Sequence, residues 1–177
     1  MLACHRFENP ELNRTLEVFL RLLVDFFADR LCSVVLYGSV VFDDLAPGYG
    51  DLDFLAATEE DLDDVTCEDL VTLRKPLRSG HYGVLATMLE GAFLPRAMLD
   101  PGVAGRAFWW GTGGERPWQR SELGWFVLHV IRQRGIVIWG EDIRPAIPKA
   151  DRELLLAEVR IFLKSVKDHG ADVTLHS

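Results

Sequence analysis

Two short β-prone runs constrain this chain more than anything else in it. The first is Cys32-Ser33-Val34-Val35-Leu36-Tyr37, which stops at Gly38-Ser39; eleven residues separate Ser39 from the second, Asp51-Leu52-Asp53-Phe54-Leu55-Ala56. The first run is apolar enough to read as a buried strand, and Gly38 closes it at a tight turn. The second sets acids against apolar residues before turning fully apolar, so it reads as a strand whose opening turn carries two carboxylates. Side chains two apart on a strand share a face, which places Asp51 and Asp53 together. The link Ala46-Pro47-Gly48-Tyr49-Gly50 is a loop by composition.

That pairing asks for a particular chemistry. Two carboxylates a few ångström apart repel and raise one another's pKa, and a divalent cation is the commonest reason for both to stay ionised. Magnesium held by one or two carboxylates fills its other positions with water and substrate phosphate, so the pair points to a phosphorylated ligand. Gly38 and Ser39, at the neighbouring strand end, supply what such a ligand needs. Glycine permits close backbone approach, and a short helix opening after it offers free N–H groups to an anion. Either feature alone is commonplace, a plain turn or a solvated acid pair; their combination is what carries meaning.

The remaining chain alternates helices and strands. Asn9-Pro10-Glu11 reads as an N-cap, a first-turn proline and a first-turn acid, with Leu12, Leu16, Phe19, Leu20 and Leu23 at helical spacing behind them, so a helix is expected to about Asp29. A second helix is expected over 60–77, a third strand region from Tyr82 to about Phe93 with Pro95 as its stop, and a Gly-rich loop with a short strand over 101–117. Ser121 then caps a helix to Arg134, Ile136-Val137-Ile138-Trp139 forms another strand, and Asp151 opens a last amphipathic helix. The class is α/β (α+β), with a mixed sheet of about four to five strands flanked by helices. A core over 1–148 and a C-terminal helical extension over 149–177 are expected.

Composition narrows the function. With 177 residues, 49% of them apolar, one domain with a real core is accommodated and two are not. A net charge of −8 argues against a protein devoted to nucleic-acid backbone, which takes clustered Lys and Arg. Cys4, Cys32 and Cys67 are odd in number and lack metal-ligand spacing, so no disulfide framework is expected, and Cys32 reads as a buried thiol. Glu8, Glu11 and Arg14 interrupt any signal-peptide core, and no segment approaches 18 uninterrupted apolar residues, so a cytoplasmic location and no membrane contact are expected.

At Gly38-Ser39 and Asp51-Leu52-Asp53 the chain resembles the nucleotidyltransferase superfamily related to DNA polymerase β. Tyr37-Gly38-Ser39-Val40-Val41 through Pro47-Gly48-Tyr49-Gly50-Asp51-Leu52-Asp53 is similar, more narrowly, to the streptomycin and spectinomycin adenylyltransferases and their bacterial relatives. Leu89-Glu90-Gly91-Ala92-Phe93-Leu94-Pro95-Arg96 and the stretch His129 to Gly140 add to the likeness, which covers most of 31–140. The resemblance implies a nucleotidyltransferase fold and Mg2+-dependent transfer of a nucleoside monophosphate, AMP from ATP or another nucleoside triphosphate, to a hydroxyl of a small, aminoglycoside-like acceptor, as in antibiotic resistance. It implies Asp51 and Asp53 as metal ligands, Gly38 and Ser39 as the phosphate turn, and a third carboxylate on the next strand as ligand or general base. Glu90, the one acid in that strand region, is the candidate.

Two departures stand beside this. Phe42-Asp43-Asp44 and Gly50 occupy positions where many relatives carry a basic or small residue and a Ser, and an acidic pair there opposes a triphosphate unless it points away. The chain also has room for only about one helix after Asp151, where the antibiotic enzymes add a helical bundle. A second subunit, as in a homodimer, or a different acceptor would resolve this. The rival readings are an antitoxin that modifies or binds a partner protein, and a non-catalytic nucleotide-binding domain. Arg96 and Arg106 could neutralise triphosphate charge or be surface arginines. His129 reads better as a half-buried helix residue than as a substrate contact, and Trp109, Trp110 and Trp118 better as core edge than as stacking platforms. The acids Glu59-Glu60-Asp61 and Asp63-Asp64 read as a helix N-terminus with a solvated face.

Overall fold

The computed structural model describes residues 3, 5–42, 44–45, 50–111, 114–118 and 124–173, with the side chains of 118, 162, 165–166 and 168–173 left aside. Helix α1 (Pro10–Phe27) begins where its sequence predicts. The Asn9 side chain accepts from the N–H groups of Glu11 and Leu12 at 2.9 and 3.2 Å, and Pro10 fills the first helical position, where no N–H is required. Leu12, Leu16, Phe19, Leu20, Leu23 and Phe27 form one buried stripe along it.

Strand β1 (Leu31–Leu36) is buried at every position. After a 3-10 turn over Gly38–Phe42 come β2 (Leu52–Thr58), α2 (Asp64–Arg78), the short α3 (Val84–Thr87) and β3 (Leu89–Pro95). The chain continues through β4 (Ala107–Gly111), β5 (Gly114–Trp118), α4 (Trp125–Arg134), β6 (Ile136–Gly140) and α5 (Arg152–Val173). The strands form one sheet in the order β5-β4-β3-β2-β1-β6. Every neighbouring pair is antiparallel except β2 and β3, which run parallel and are joined through α2.

The two faces of the sheet bury separate cores. On one, α1 and α2 cover Leu52, Phe54, Phe93 and Trp110. The rings there pack edge to face, with Phe19–Phe54, Phe54–Phe93 and Phe93–Trp110 centroids 4.8, 5.2 and 4.8 Å apart, each large side chain contributing about 1.5–3 kcal/mol of burial. On the other face Leu128 and Ile131 of α4 meet Val35, Leu55, Ala92 and Leu94. The acids at the start of α2 act as expected: Asp63 caps it by accepting from the Thr66 N–H at 2.7 Å.

Several expectations change. The region from Tyr82 is not one strand, because Gly83 takes φ +95° and the next residues wind into α3, which buries Leu85 and Ala86 before β3 begins at Leu89. The 101–117 region is not a loop with a short strand but includes β4 and β5, which raises the sheet to six strands among the described residues. Trp110 is fully buried against the first core while Trp109 faces the second, the alternation of a strand. Pro117 is tolerated because β5 is an edge strand. The predicted Ser121 cap lies outside the described residues. The α4 N-terminus is instead capped from α5, whose Glu158 accepts from the N–H groups of Trp125 and Phe126 at 2.6 and 2.8 Å. Gly124 leaves room for that carboxylate, whose Cδ would stand 2.8 Å from a Cβ there. Among the described residues no helix is long and apolar enough to cross a membrane.

Candidate active site

The first buried strand ends at the feature that organises the site. The Tyr37 N–H donates to the Asp53 carbonyl at 3.0 Å, tying the exit of β1 to the entry of β2. Gly38 follows with φ +72°, and a Cβ added there would strike the Asp53 carboxylate, with Cγ 2.8 Å away. The Asp53 side chain therefore lies on the Gly38 backbone. Glycine is needed twice over, for the left-handed φ and for the space.

Strand β3 brings in the third acid. It pairs with β2 in parallel with Glu90 opposite Asp53, and register partners on adjacent strands project to the same face. Gly91 lets the two strands close up, since a Cβ on it would come within 2.8 Å of the Phe54 carbonyl carbon. Asp51 lies just before β2, close enough for its charge to act on Asp53, and all three acids are half-buried. Burial, then the charges of Asp51 and Glu90, push the Asp53 carboxyl up to about 6. Tyr37 is buried beside them; burial first, then Asp53 and Glu90, hold its phenol above the ordinary range.

Three neighbouring carboxylates, two of which disfavour the charge of Asp53, offer oxygen as their common donor atom and fit a hard cation such as magnesium. Ser39 stands half-buried in the 3-10 turn, its carbonyl accepting from the Asp44 N–H at 3.2 Å. Phe42 and Asp44 are exposed, and Asp43 lies outside the described residues. A groove of about 530 Å³ opens between His5, Arg6 and Phe7 and the far end of this turn at Val40 and Leu45, and none of the three acids lines it.

The other residues singled out by sequence lie elsewhere or are engaged. Arg96 pairs with Glu59 at 3.2 Å and Glu141 at 2.7 Å, and Arg106 pairs with Asp64. His129 is half-buried on α4, and the Trp118 side chain is outside the described set. Sequence reasoning passed over Tyr37, whose place beneath the acids emerges only once the β1–β2 register is known, and Arg74, whose side chain is 3% exposed. A second cluster joins Cys32, Glu59 and Glu141, with ligand atoms within 4.8 Å of one another. Arg96 already neutralises both of its acids. The Cys32 thiol donates to Glu59 at 3.1 Å and is pushed up to about 12 by burial and by Glu59, so it stays protonated.

The sheet order, the Gly38 turn and the acids at the openings of β2 and β3 make the fold nucleotidyltransferase-like. Among solved structures the chain is similar to spectinomycin adenyltransferase AAD(9) from Enterococcus faecialis, solved with ATP and spectinomycin, at TM-score 0.64 and 16% identity. That match covers 89% of this chain and 66% of the other, so this chain spans just under two thirds of that enzyme's length. Two lower-scoring matches are a toxin–antitoxin structure with AMP-PNP (TM-score 0.41, 11% identity, 89% of this chain and 94% of the other) and a HEPN toxin–MNT antitoxin complex from Shewanella oneidensis (TM-score 0.38, 11% identity, 93% and 96%). Neither protein-family models nor curated proteins gave a match.

Proposed function

We propose that the chain is a nucleotidyltransferase that moves AMP from ATP to a hydroxyl of a small, aminoglycoside-like acceptor. One observation supports this above all: Asp53 and Glu90 stand in register on neighbouring strands of a nucleotidyltransferase-like sheet, with Asp51 close by and a glycine turn of left-handed φ beside them. Asp51 and Asp53, with Glu90 completing the set, would hold Mg2+, which when bound neutralises charge on the triphosphate and on the departing pyrophosphate.

The chain's own groups do the rest. The Gly38–Ser39 turn offers backbone N–H groups to phosphate oxygens, a use of the main chain that spares an acidic protein the need for clustered lysines. Glu90 takes the proton of the acceptor hydroxyl as that oxygen attacks the α-phosphorus and the bond to pyrophosphate breaks. Asp53 keeps its orientation through its contact with Gly38, and the main-chain bond from Tyr37 holds the turn against the strand.

The test is release of pyrophosphate from each radiolabelled triphosphate with Mg2+ and a panel including streptomycin and spectinomycin. ATP-dependent release that needs an acceptor hydroxyl is expected, and it should vanish in Asp53→Asn and Glu90→Gln. Turnover that survives Asp53→Asn overturns the site, and silence with every donor and acceptor overturns the reaction.

A further inference from the structure

Helix α2 carries one charged residue into the aromatic core. The Arg74 guanidinium donates to the carbonyls of Leu89 at 2.9 Å and Gly111 at 3.0 Å, pairs with Glu115 at 3.1 Å, and stands over the Trp110 ring with Cζ 5.4 Å from the centroid. Among the described residues the β3–β4 ladder runs from Phe93 opposite Phe108 to Gly91 opposite Trp110. The carbonyls just past that end on the two strands are among those Arg74 holds. The guanidinium thus joins the two strands beyond the pairing of the described residues, at the residue before Glu90.

Stability does not account for a cation in this place. A buried ion pair recovers its desolvation cost only with excellent geometry, and well-packed apolar residues of like volume often serve as well or better. What a guanidinium adds is a planar fork that reaches several acceptors in set directions, which a lysine cannot copy. Glu115 is shared with Arg78 at 3.4 Å, so the β4–β5 hairpin is gripped from α2 at two points.

We infer that Arg74 is a positioning residue for Glu90: by holding the Leu89 carbonyl against the β4–β5 hairpin, it keeps the Glu90 carboxylate in line with Asp51 and Asp53. The consequence for metal binding rests on the reading of those acids as the metal site; the consequence for the backbone does not.

Two measurements on the full chain separate these. Amide hydrogen exchange is followed at 89–92 and in α1, and the affinity for manganous ion, a spectroscopic stand-in for magnesium, is measured by electron paramagnetic resonance. In Arg74→Lys, exchange at 89–92 should quicken while α1 stays protected, and manganese affinity should fall about 10- to 100-fold, as for loss of a group that orients a ligand. Adding Arg74→Lys to Glu90→Gln should cost little more than Glu90→Gln alone, because residues acting through one another are not additive. Unchanged exchange at 89–92 in a folded Arg74→Lys, or losses that simply multiply in the double variant, overturns the inference. Should Asp53→Asn leave manganese affinity untouched, the metal-site reading falls, while exchange at 89–92 still decides the role of Arg74. If Arg74→Lys does not fold, Glu115→Gln, which leaves the arginine but removes its counter-charge, should loosen 89–92 in the same way, and no loosening there overturns the inference.

Discussion

Asp53 gives the sharpest quantitative test, because the arrangement that suits it to a cation makes it a burden to the empty protein. Its carboxyl is pushed up to about 6 from an ordinary 3.8. A shift of about two units corresponds to about 3 kcal/mol, and partial solvent screening of a half-buried group trims this to about 2 kcal/mol. The sign follows from proton linkage. The folded state holds the proton more tightly than the unfolded chain, so stability falls as pH rises from about 4 to about 6, and the penalty is fully present above that window. Asp53→Asn has the same shape without the charge. It is therefore expected to be more stable than the wild type at pH 7.5 by about 2 kcal/mol, or about 4–8 °C in melting midpoint for a chain of this size. The difference should close toward pH 4. The assay is thermal and urea denaturation followed by circular dichroism between pH 4 and 7.5 in chelator, repeated with millimolar Mg2+, which should raise the wild type alone. A variant less stable than wild type at pH 7.5, or an offset equal at pH 4 and 7.5, would refute the argument.

Other expectations follow from the same geometry. Gly38→Ala forces a side chain into a left-handed φ and onto the Asp53 carboxylate, costing about 1–3 kcal/mol in urea titration and abolishing pyrophosphate release. Glu158→Ala uncaps α4 and should cost about 1 kcal/mol, with faster limited proteolysis around residue 124. With its thiol pushed up to about 12, Cys32 should react with a disulfide reagent at pH 8 about a thousandfold more slowly than an ordinary thiol. Peptide mapping that finds Cys32 labelled rapidly in the native protein contradicts that environment.

The parts of this chain that could be read early are those whose signal is local. The Asn9–Pro10 start, the buried β1, and the acid–apolar alternation of β2 each lie within a few residues, and period and capping reveal them. The β4–β5 hairpin could not be read so, because Gly111, Gly114 and Pro117 mask strands whose stability comes from Trp110 packing against Phe54 and Phe93. Residues 82–88 look like strand because they are apolar, and only the conformation of Gly83 turns them into a helical turn. Arg74 is hidden for another reason. An arginine on an amphipathic helix reads as solvated, and the acceptors that justify its burial lie 15, 37 and 41 residues away.

The one parallel pairing among the described strands, in a sheet whose other pairs are antiparallel, has a geometric consequence for the acids. Were β3 to run the other way along the same stretch of β2, Glu90 would emerge toward the opposite rim, beside Ala57 and about 13 Å from Asp53 at the rise of an extended strand. Returning the chain to the same rim takes a strut as long as β2 itself. The seven residues of β2 span about 23 Å, and the fifteen of α2 rise about 22 Å. A helix about as long as the strand it runs back along thus returns the chain to the rim where Asp53 lies, and the parallel register then sets Glu90 beside it.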